Sequence, residues 1–225
     1  MVNLYKMPLP TSLFFLYSIN MKKFPNVIPV YPLSGVIYFP KTNLPLNIFE
    51  QRYLDLVNDA YNQNKLMGMV QSKKDDESVY NIGCLGKITD YQKSKDGRIL
   101  INLTGVTRFK ILKEVSSNKL YREFQVDYQN FDKDVENTHN EVESGSLMDK
   151  AKTFFKRNGI LLNWNEFEKL DQNQKINTLA MISPVANEEK RKILETITLS
   201  EKVKILENII DFYLHEVSFH NQTVQ

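Results

Sequence analysis

Residues 47–57, with the sequence Asn-Ile-Phe-Glu-Gln-Arg-Tyr-Leu-Asp-Leu-Val, mark the point where the chain changes from strand-like to helical spacing. Upstream, apolar residues come in short runs at 28–33, 36–39 and 44–49, each of which contains or precedes a proline. Prolines at this density exclude a helix and suit edge strands and strand ends. Over 50–62 the apolar side chains instead recur every three or four residues, which predicts one amphipathic helix.

Strand-like spacing returns after this helix, in runs at 66–70, 83–91, 99–103, 106–112 and 124–128. Asp96-Gly97 predicts a tight hairpin turn, because glycine accepts the positive φ that such turns need. The polar stretch at 72–78 predicts a second hairpin, and Gly105 is expected to interrupt the strand pattern. Roughly six to seven short strands and a single helix predict a compact sheet or a partly closed barrel.

The second half of the chain has a different pattern. Charged residues replace apolar ones over 132–146, which indicates a solvated linker. Beyond it the spacing is helical, in segments at 147–158, 164–170, 175–183, 187–196 and 200–216. Asn187 and Ser200 are expected to be N-caps, because their side-chain oxygens accept hydrogen bonds from amides of the first helical turn. These segments predict a small helical bundle.

The predicted fold class is therefore α+β, with a β-rich sheet or barrel that carries one helix, followed by a helical bundle. The predicted organisation is a flexible leader at 1–24, a β-rich subdomain at 25–131, a charged linker at 132–146, a helical bundle at 147–217 and a tail at 218–225. The leader holds a short apolar run at 13–17, below the roughly 20 residues that span a bilayer. A second start candidate, Met21, precedes the first patterned segment, so a misassigned start is one explanation of this leader.

Composition limits the classes of partner. Lysine and arginine total 29 against 27 aspartates and glutamates, so the formal charge of +2 provides no strong field for polyanions or membrane surfaces. The single cysteine, Cys84, can form neither an internal disulfide nor a thiolate-pair zinc site. A reducing cytoplasm is the expected location, with no membrane and no nucleic acid as partner.

Motifs for catalysis and cofactors are missing where the chemistry would need them. Gly86-Lys87 is followed by isoleucine, so it lacks the hydroxyl that holds magnesium in a P-loop. His215 and His220 are five residues apart, whereas a zinc-binding helix needs a spacing of four. Cys84 is expected to be a core residue. A Ser-Lys dyad stays open, but we predict no catalytic residue, no metal and no cofactor.

Residues 47–57 resemble the signature of the Lon protease amino-terminal domain family, and so do the blocks at 29–33, 39–40 and 44–46. Downstream, residues 105–109 follow in the family order. Together the resemblance covers about residues 25–215. The signature residues in this chain are Phe49, Glu50, Arg52, Tyr53, Gly105, Arg108 and Phe109. The chain departs from the family pattern at Lys41, where glycine is usual, at Gln51, where proline is frequent, and at Arg191, where glutamine is common.

The resemblance implies a six-stranded β fold of the PUA-like type followed by a helical bundle. Full Lon proteases continue into an ATPase module and a protease module, and neither occurs in this sequence. The resemblance therefore implies a free-standing, non-enzymatic domain that recognises unfolded or partner polypeptides in protein quality control. A separately encoded ATP-dependent protease is a further partner that the resemblance leaves open.

The candidate peptide-binding residues are Tyr31, Tyr38, Met67 and Met69, since adaptable apolar side chains suit a ligand without a fixed shape. The signature residues are expected to be mainly structural, with Glu50 at a helix N-terminus and the arginines tying loops together. The alternative function is RNA binding, which the PUA-like resemblance suggests. It would need a local basic patch drawn from Lys87, Lys93, Lys95, Arg98, Arg108 and Lys110.

Overall fold

The computed structural model describes residues 24–73, 78–135 and 142–220, and the side chains of these residues up to His215. The expected leader at 1–24 lies almost wholly outside the described residues, and the tail at 218–225 lies largely outside them. The first half contains six strands. They are β1 Val27–Pro32, β2 Asn43–Ile48, β3 Leu66–Val70, β4 Ile82–Lys93, β5 Ile99–Val115 and β6 Arg122–Asp127.

Five of the strands close into a ring. β5 pairs along one side with β4, and along the other side first with β2 and then with β6. β6 also pairs with β1, and β1 pairs in parallel with β3, which returns to β4. The ring is therefore β1-β3-β4-β5-β6, with β2 as an extension of β5. This arrangement confirms the predicted β-rich half, with six strands.

The ring has its own apolar core. One buried cluster takes side chains from all five ring strands, among them Ile28, Val70, Leu85, Phe109 and Phe124. Because every strand contributes one face to this cluster, a shift of any strand by one residue would turn its apolar side chains outward.

The helix predicted at 50–62 is confirmed as α1, Gln51–Asn62, and Glu50 occupies the N-cap position. Its buried face carries Tyr53, Leu56, Val57 and Ala60 and packs against β1 and β3. These residues belong to a second buried apolar cluster, which lies on the face of the strands that is opposite the core of the ring. The sheet is therefore buried on both sides.

The second half is helical, as predicted. Its helices are α2 Gly145–Arg157, α3 Trp164–Glu168, α4 Gln172–Ile182, α5 Asn187–Glu195 and α6 Leu199–His220. α6 is in contact with α2, α4 and α5, so it forms the centre of the bundle. The α+β fold class is confirmed.

Both predicted N-caps are wrong. Ala186 takes the N-cap position of α5, and the amide of Asn187 donates instead to the carbonyl of Ser34 at 3.2 Å. In α6 the capping hydroxyl is that of Thr198, which accepts from the backbone N–H of Glu201 at 3.3 Å. A polar residue near the start of a helix does not by itself mark the N-cap, since Ala186 holds that position in α5.

The segment between β1 and β2 differs from the prediction. The run at 36–39 does not pair as a strand, and its side chains enter two different cores. Ile37 and Phe39 belong to the core of the helical half, whereas Tyr38 belongs to the core beneath α1. This segment therefore fastens the two halves together.

Gly105 does not end β5, which runs from Ile99 to Val115, but the pairing of β5 with β4 shifts its register there, between the pairs Gly86–Gly105 and Leu85–Thr107. The N–H of Gly105 donates to the carbonyl of Thr42 at 2.9 Å, and its carbonyl accepts from the N–H of Lys41 at 2.8 Å. A Cβ atom at this position would lie 2.3 Å from the carbonyl oxygen of Phe39. Glycine is needed here because another piece of backbone lies directly against the strand.

Lys41, which departs from the family pattern, has a φ of 60°. Glycine is the residue that adopts this left-handed conformation without steric cost, which explains why it is usual at this position. The ammonium of Lys41 lies 3.2 Å from the carboxylate of Asp171 at the start of α4. The lysine thus adds an ion pair between the two halves at a position where the backbone favours glycine.

Arg108 is the largest fully buried side chain, with 1% of its surface exposed. Its Nε and Nη2 atoms donate to the two carboxylate oxygens of Asp134 at 2.8 and 2.9 Å. Its Nη1 atom donates to the carbonyls of Leu194, at 2.8 Å, and of Thr196. A single side chain of β5 is therefore bonded to the segment after β6 and to the end of α5.

Asp134 departs from the solvated linker predicted for 132–146. Only 9% of its surface is exposed, and its carboxylate also accepts from the backbone N–H of Arg108 at 2.9 Å. Three strong donors compensate the buried negative charge of Asp134. The local sequence does not reveal that this carboxylate is buried. Residues 136–141 of the predicted linker lie outside the described residues.

A second cation, Lys202 of α6, is buried close to this pair, with 3% of its surface exposed. Its Nζ donates to Oδ1 of Asn177 at 3.4 Å, and Asn177 in turn donates to the carbonyl of Pro40 at 3.0 Å. Burial, followed by the nearby guanidinium of Arg108, lowers the pKa of Lys202 to about 8.

Replacing Arg108 by methionine should lower the free energy of unfolding by roughly 3–5 kcal/mol, because the carboxylate of Asp134 would stay buried without its partner. Urea unfolding measures this change. The matched control is Arg98→Met, since Arg98 pairs with Asp96 at 3.2 Å but is 54% exposed. That substitution should cost less than about 1 kcal/mol. Equal losses in the two variants would contradict the assignment of Arg108 as the tie between the halves.

Gly105→Ala should destabilise the protein by roughly 1–3 kcal/mol, because the added methyl group forces β5 and the 39–42 segment apart. Gly35→Ala is the control, since a Cβ atom there would have no neighbour within 4 Å. We expect its melting temperature to stay the same or to rise slightly. A Gly105→Ala variant as stable as Gly35→Ala would show that the two backbones can separate freely.

The free energy of unfolding should rise as the pH rises from about 8 to about 10.5, the folded-state and ordinary pKa values of Lys202. In that interval the unfolded chain binds more protons than the folded chain, so deprotonation favours the fold, by about 3 kcal/mol in total. Lys202→Met should lose this gain, whereas the exposed Lys204→Met should keep it. Identical pH profiles for the two variants in phosphate-free buffer would refute a charged, buried Lys202.

Candidate functional site

A groove of about 530 Å³ lies where the end of β1, the start of α1 and the start of β6 meet. Parallel pairing of β1 with β3 and antiparallel pairing of β1 with β6 bring these three elements together. Its walls are residues Tyr31, Pro32, Leu33, Ser34, Glu50, Arg52, Tyr53, Ser72, Leu120, Tyr121 and Arg122. We call it the tyrosine groove.

Two tyrosines form one wall of the tyrosine groove. The rings of Tyr31 and Tyr53 lie 4.1 Å apart between centroids, and the guanidinium of Arg52 lies 4.6 Å from the ring of Tyr53. Burial raises the pKa of both phenols, so both stay neutral at physiological pH. The two rings are tilted by 53° to each other, and rigid aromatic side chains of this kind give a ligand contact area at a small cost in conformational entropy.

Tyr121 forms the opposite wall. Its hydroxyl donates to the carboxylate of Asp59 on α1 at 2.6 Å, which fixes the ring against the helix. Burial, followed by this hydrogen bond, raises the pKa of Tyr121 to about 12. All three phenols are therefore neutral, but only the half-buried Tyr31 exposes much of its ring, since Tyr53 and Tyr121 are 7% and 4% exposed and contribute mainly their edges to the groove.

Charge in the tyrosine groove is confined to its rim. Arg52 pairs with Glu50 at 2.8 Å and Arg122 pairs with Glu114 at 2.6 Å, and all four side chains are partly or largely exposed. Exposed pairs of this kind contribute little to stability, typically below about 1 kcal/mol. The charged side chains of these two pairs can therefore exchange partners with a ligand at a small cost in free energy.

Two large apolar side chains near the tyrosine groove are exposed to solvent. Leu120, in its wall, is 67% exposed, and Phe49, which precedes Glu50, is 65% exposed. Leucine and phenylalanine gain free energy when their surfaces leave water, so their exposure beside aromatic walls indicates a contact surface for an apolar ligand.

The candidate peptide-binding residues separate into two groups. Tyr31 lines the tyrosine groove and is half-buried. Met67, Met69 and Tyr38 are 0%, 3% and 3% exposed, and they belong to the core beneath α1. The Tyr38 hydroxyl donates to the carbonyl of Leu103 at 2.8 Å. These three side chains offer almost no surface to a ligand. Their placement in the core therefore does not support the predicted contact with polypeptides.

The family signature also separates into two groups. Gly105, Arg108 and Phe109 lie inside the protein, where they join the halves or fill the ring. Glu50, Arg52 and Tyr53 line the tyrosine groove, although the sequence suggested a mainly structural role for them. Sequence reasoning missed Leu120, Tyr121 and Arg122, whose place in the site depends on the pairing of β6 with β1.

A larger cleft of about 800 Å³ lies in the helical half, lined by Met148, Trp164, Phe167 and other residues. Six of its 13 lining residues are charged, three of each sign, against three of 11 in the tyrosine groove. The cleft nevertheless exposes as much apolar surface as the tyrosine groove does. We choose the tyrosine groove as the candidate polypeptide site because the signature residues Glu50, Arg52 and Tyr53 line it and because Leu120 in its wall is 67% exposed.

Chemical groups for catalysis are not assembled in the part of the chain that the structure describes. Cys84 is fully buried, and burial raises the pKa of its thiol, so it is a poor nucleophile. Burial lowers the pKa of Lys190 and Lys202, but the first donates to the carbonyl of Met181 and the second to Asn177, and neither bonds a serine hydroxyl. No cluster of three metal-binding side chains occurs among these residues.

The basic residues considered for RNA binding are scattered. Arg108 is buried in its ion pair, and Arg98 pairs with Asp96. Along β4, Lys93 lies 11 positions from Ile82, the partner of Lys110 in β5. At about 3.3 Å per residue this places Lys93 and Lys110 roughly 36 Å apart. Lys93, Lys95 and Arg98 share the turn between β4 and β5, but the six residues do not form one continuous basic patch.

None of the helices within residues 24–73, 78–135 and 142–220 has the length and apolar character that crossing a membrane requires.

Comparison with known proteins gives one family. Residues 27–211 match the model of the ATP-dependent protease La (LON) substrate-binding domain. The Lon protease of Syntrophus aciditrophicus is 26% identical over 208 residues, which cover 85% of this chain and 26% of that protein. The Lon protease of Dictyoglomus thermophilum is 25% identical over 192 residues, which cover 80% of this chain and 24% of that protein. The chain thus spans about a quarter of the length of these relatives.

Two solved structures share the fold. The Lon N-terminal domain protein from Xanthomonas campestris has a TM-score of 0.61 at 20% identity, covering 80% of this chain and 96% of that one. The N-terminal domain of Lon protease from the Mycobacterium avium complex has a TM-score of 0.60 at 16% identity, covering 82% and 98%.

Proposed function

Because this chain belongs to the LON substrate-binding domain family, we propose that it binds unfolded or partner polypeptides in the tyrosine groove and performs no bond chemistry on them. The observation that carries this proposal is the groove itself. Three neutral tyrosines line it, and an apolar side chain in its wall, Leu120, is 67% exposed.

The shape and chemistry of the tyrosine groove suit a segment in extended conformation. Its aromatic walls can pack against apolar side chains of many shapes, and phenol hydroxyls and the serines Ser34 and Ser72 offer hydrogen bonds to a ligand backbone. Arg52 and Arg122 at the rim can meet carboxylates. Such contacts recognise the general properties of an unfolded chain rather than one sequence.

The absence of bond chemistry is supported by the state of the nucleophiles. The only thiol, Cys84, is buried. The two lysines with lowered pKa values bond a carbonyl and an amide. We propose that any proteolysis of a bound chain is carried out by a separately encoded ATP-dependent protease, to which this protein presents the polypeptide. A reducing cytoplasm is consistent with the single free thiol.

Replacing Leu120 by serine should weaken the binding of a fluorescently labelled, unfolded model polypeptide by roughly five- to thirty-fold, because one leucine contact contributes about 1–2 kcal/mol. Fluorescence anisotropy measures the dissociation constant. Leu112→Ser is the matched control, since Leu112 is 54% exposed on β5 but does not line the tyrosine groove. Its dissociation constant should equal that of the unmodified protein.

Two outcomes would contradict this proposal. The first is an absence of saturable binding of any unfolded polypeptide by the unmodified protein. The second is a loss of binding in Leu161→Ser instead of Leu120→Ser, because Leu161 is 99% exposed in the segment that leads to Trp164 of the helical cleft. That result would move the site to the helical half. A urea midpoint for each variant excludes unfolding as the cause.

A further inference from the structure

The tyrosine groove contains two hydroxyl groups that do not bond the rest of the protein. Tyr31 and Tyr53 line the groove, and neither hydroxyl has a hydrogen-bond partner among the described residues. Tyr121, by contrast, donates to the carboxylate of Asp59 at 2.6 Å. The groove therefore holds one hydroxyl that fixes a wall in place and two that have no such role.

Other tyrosines show how a buried hydroxyl is normally satisfied. The hydroxyls of Tyr38, Tyr91, Tyr128 and Tyr213 each donate to an oxygen atom of the protein at 2.8–2.9 Å. Tyr53 is as deeply buried as Tyr128, since the two residues are 7% and 6% exposed. A hydroxyl that is withdrawn from most of the solvent usually has a partner, because its desolvation costs free energy. The hydroxyl of Tyr53 therefore indicates a partner that enters the groove from outside.

Both hydroxyls are accessible from the groove. The hydroxyl oxygen of Tyr53 is not enclosed by protein atoms, so the small exposed part of this residue includes it. Tyr31 is half-buried, and its ring centroid lies 4.1 Å from that of Tyr53. Burial raises the pKa of both phenols, so each hydroxyl keeps its proton and can donate a hydrogen bond. The two tyrosines therefore form a pair of neutral donors in one wall.

The charges around these two hydroxyls cancel. Arg52 pairs with Glu50 at 2.8 Å, and Arg122 pairs with Glu114 at 2.6 Å. Neither an anion nor a cation is therefore favoured beside the phenols. A backbone carbonyl oxygen is neutral and accepts hydrogen bonds from hydroxyl groups. It is the kind of acceptor that suits this part of the groove.

Unpaired carbonyl groups distinguish an extended segment from a helix. In an α-helix every backbone carbonyl except the last four accepts from an N–H of the same helix. An extended segment of an unfolded chain keeps its carbonyl oxygens available, with one residue about every 3.3 Å. Apolar contacts such as that of Leu120 would accept the apolar face of a helix as well as an extended apolar segment. Hydroxyl donors in the wall add a selection for conformation.

We propose that the hydroxyls of Tyr31 and Tyr53 donate to backbone carbonyls of the bound polypeptide and so select extended segments over helical ones. This inference rests on the proposed function, which it narrows to polypeptide segments whose carbonyl groups are unpaired. Tyr121 takes no part in the selection, because its hydroxyl is engaged by Asp59. Leu120 contributes affinity for both conformations through its exposed surface.

Two forms of one labelled amphipathic peptide test this proposal by fluorescence anisotropy with the full chain. One form is linear, and the other is held as a helix by a hydrocarbon staple on its polar face. Tyr31→Phe and Tyr53→Phe should each weaken binding of the linear form by roughly two- to ten-fold, the effect of one lost hydrogen bond. Binding of the stapled form should not change. Tyr61→Phe is the matched control, because Tyr61 also lies on α1 but stacks on Tyr91 outside the groove.

A double variant, Tyr31→Phe with Tyr53→Phe, that binds the linear form as tightly as the unmodified protein would overturn the proposal. Equal weakening of both peptide forms would also overturn it, because the hydroxyls would then not act on carbonyl groups. The melting temperature of these variants should stay the same, since neither hydroxyl bonds the protein.

Leu120→Ser separates this inference from the proposed function. If Leu120→Ser weakens binding of both peptide forms while the tyrosine variants weaken neither, the groove binds polypeptides without selecting their conformation, and only this inference fails. If the unmodified protein shows no saturable binding of either form, the proposed function fails, and this inference fails with it.

Discussion

The guanidinium of Arg108 is the constraint on which the arrangement of the two halves depends. It extends from β5 and bonds the carboxylate of Asp134 and the carbonyls at the end of α5. The whole side chain is almost completely buried. A group that cannot lose its proton must be paired wherever it is buried. The position of Asp134, and with it the path of the chain after β6, follows from this requirement.

The helices were predictable from the sequence because their signal is local. The apolar spacing of 50–62 already contains the buried face of α1, and the same holds for α2 and α6. The strand pair that closes the ring was not predictable, since β6 pairs with β1, more than 90 residues earlier in the sequence. The burial of Asp134 was likewise hidden, because a carboxylate among other charges has the local pattern of a solvated segment.

The candidate site shows the same division. Glu50, Arg52 and Tyr53 were marked by a motif, and the structure places them in one wall of the tyrosine groove. Leu120 and Tyr121 carry no local signal, because only the pairing of β6 with β1 brings them opposite that wall. Met67 and Met69 were candidates for a surface, since strands commonly have one solvated face. Here α1 covers the face that they occupy.

The chain order of the groups that meet at Arg108 has a consequence for folding during synthesis. The carbonyls of Leu194 and Thr196, which accept from its guanidinium, come 86 and 88 residues after it. A nascent chain that has left the ribosome only as far as β6 can close the ring, yet it still lacks these acceptors for its buried cation. The β-rich half therefore reaches its final state only when α5 has emerged, and until then the partly made protein is a natural client for chaperones.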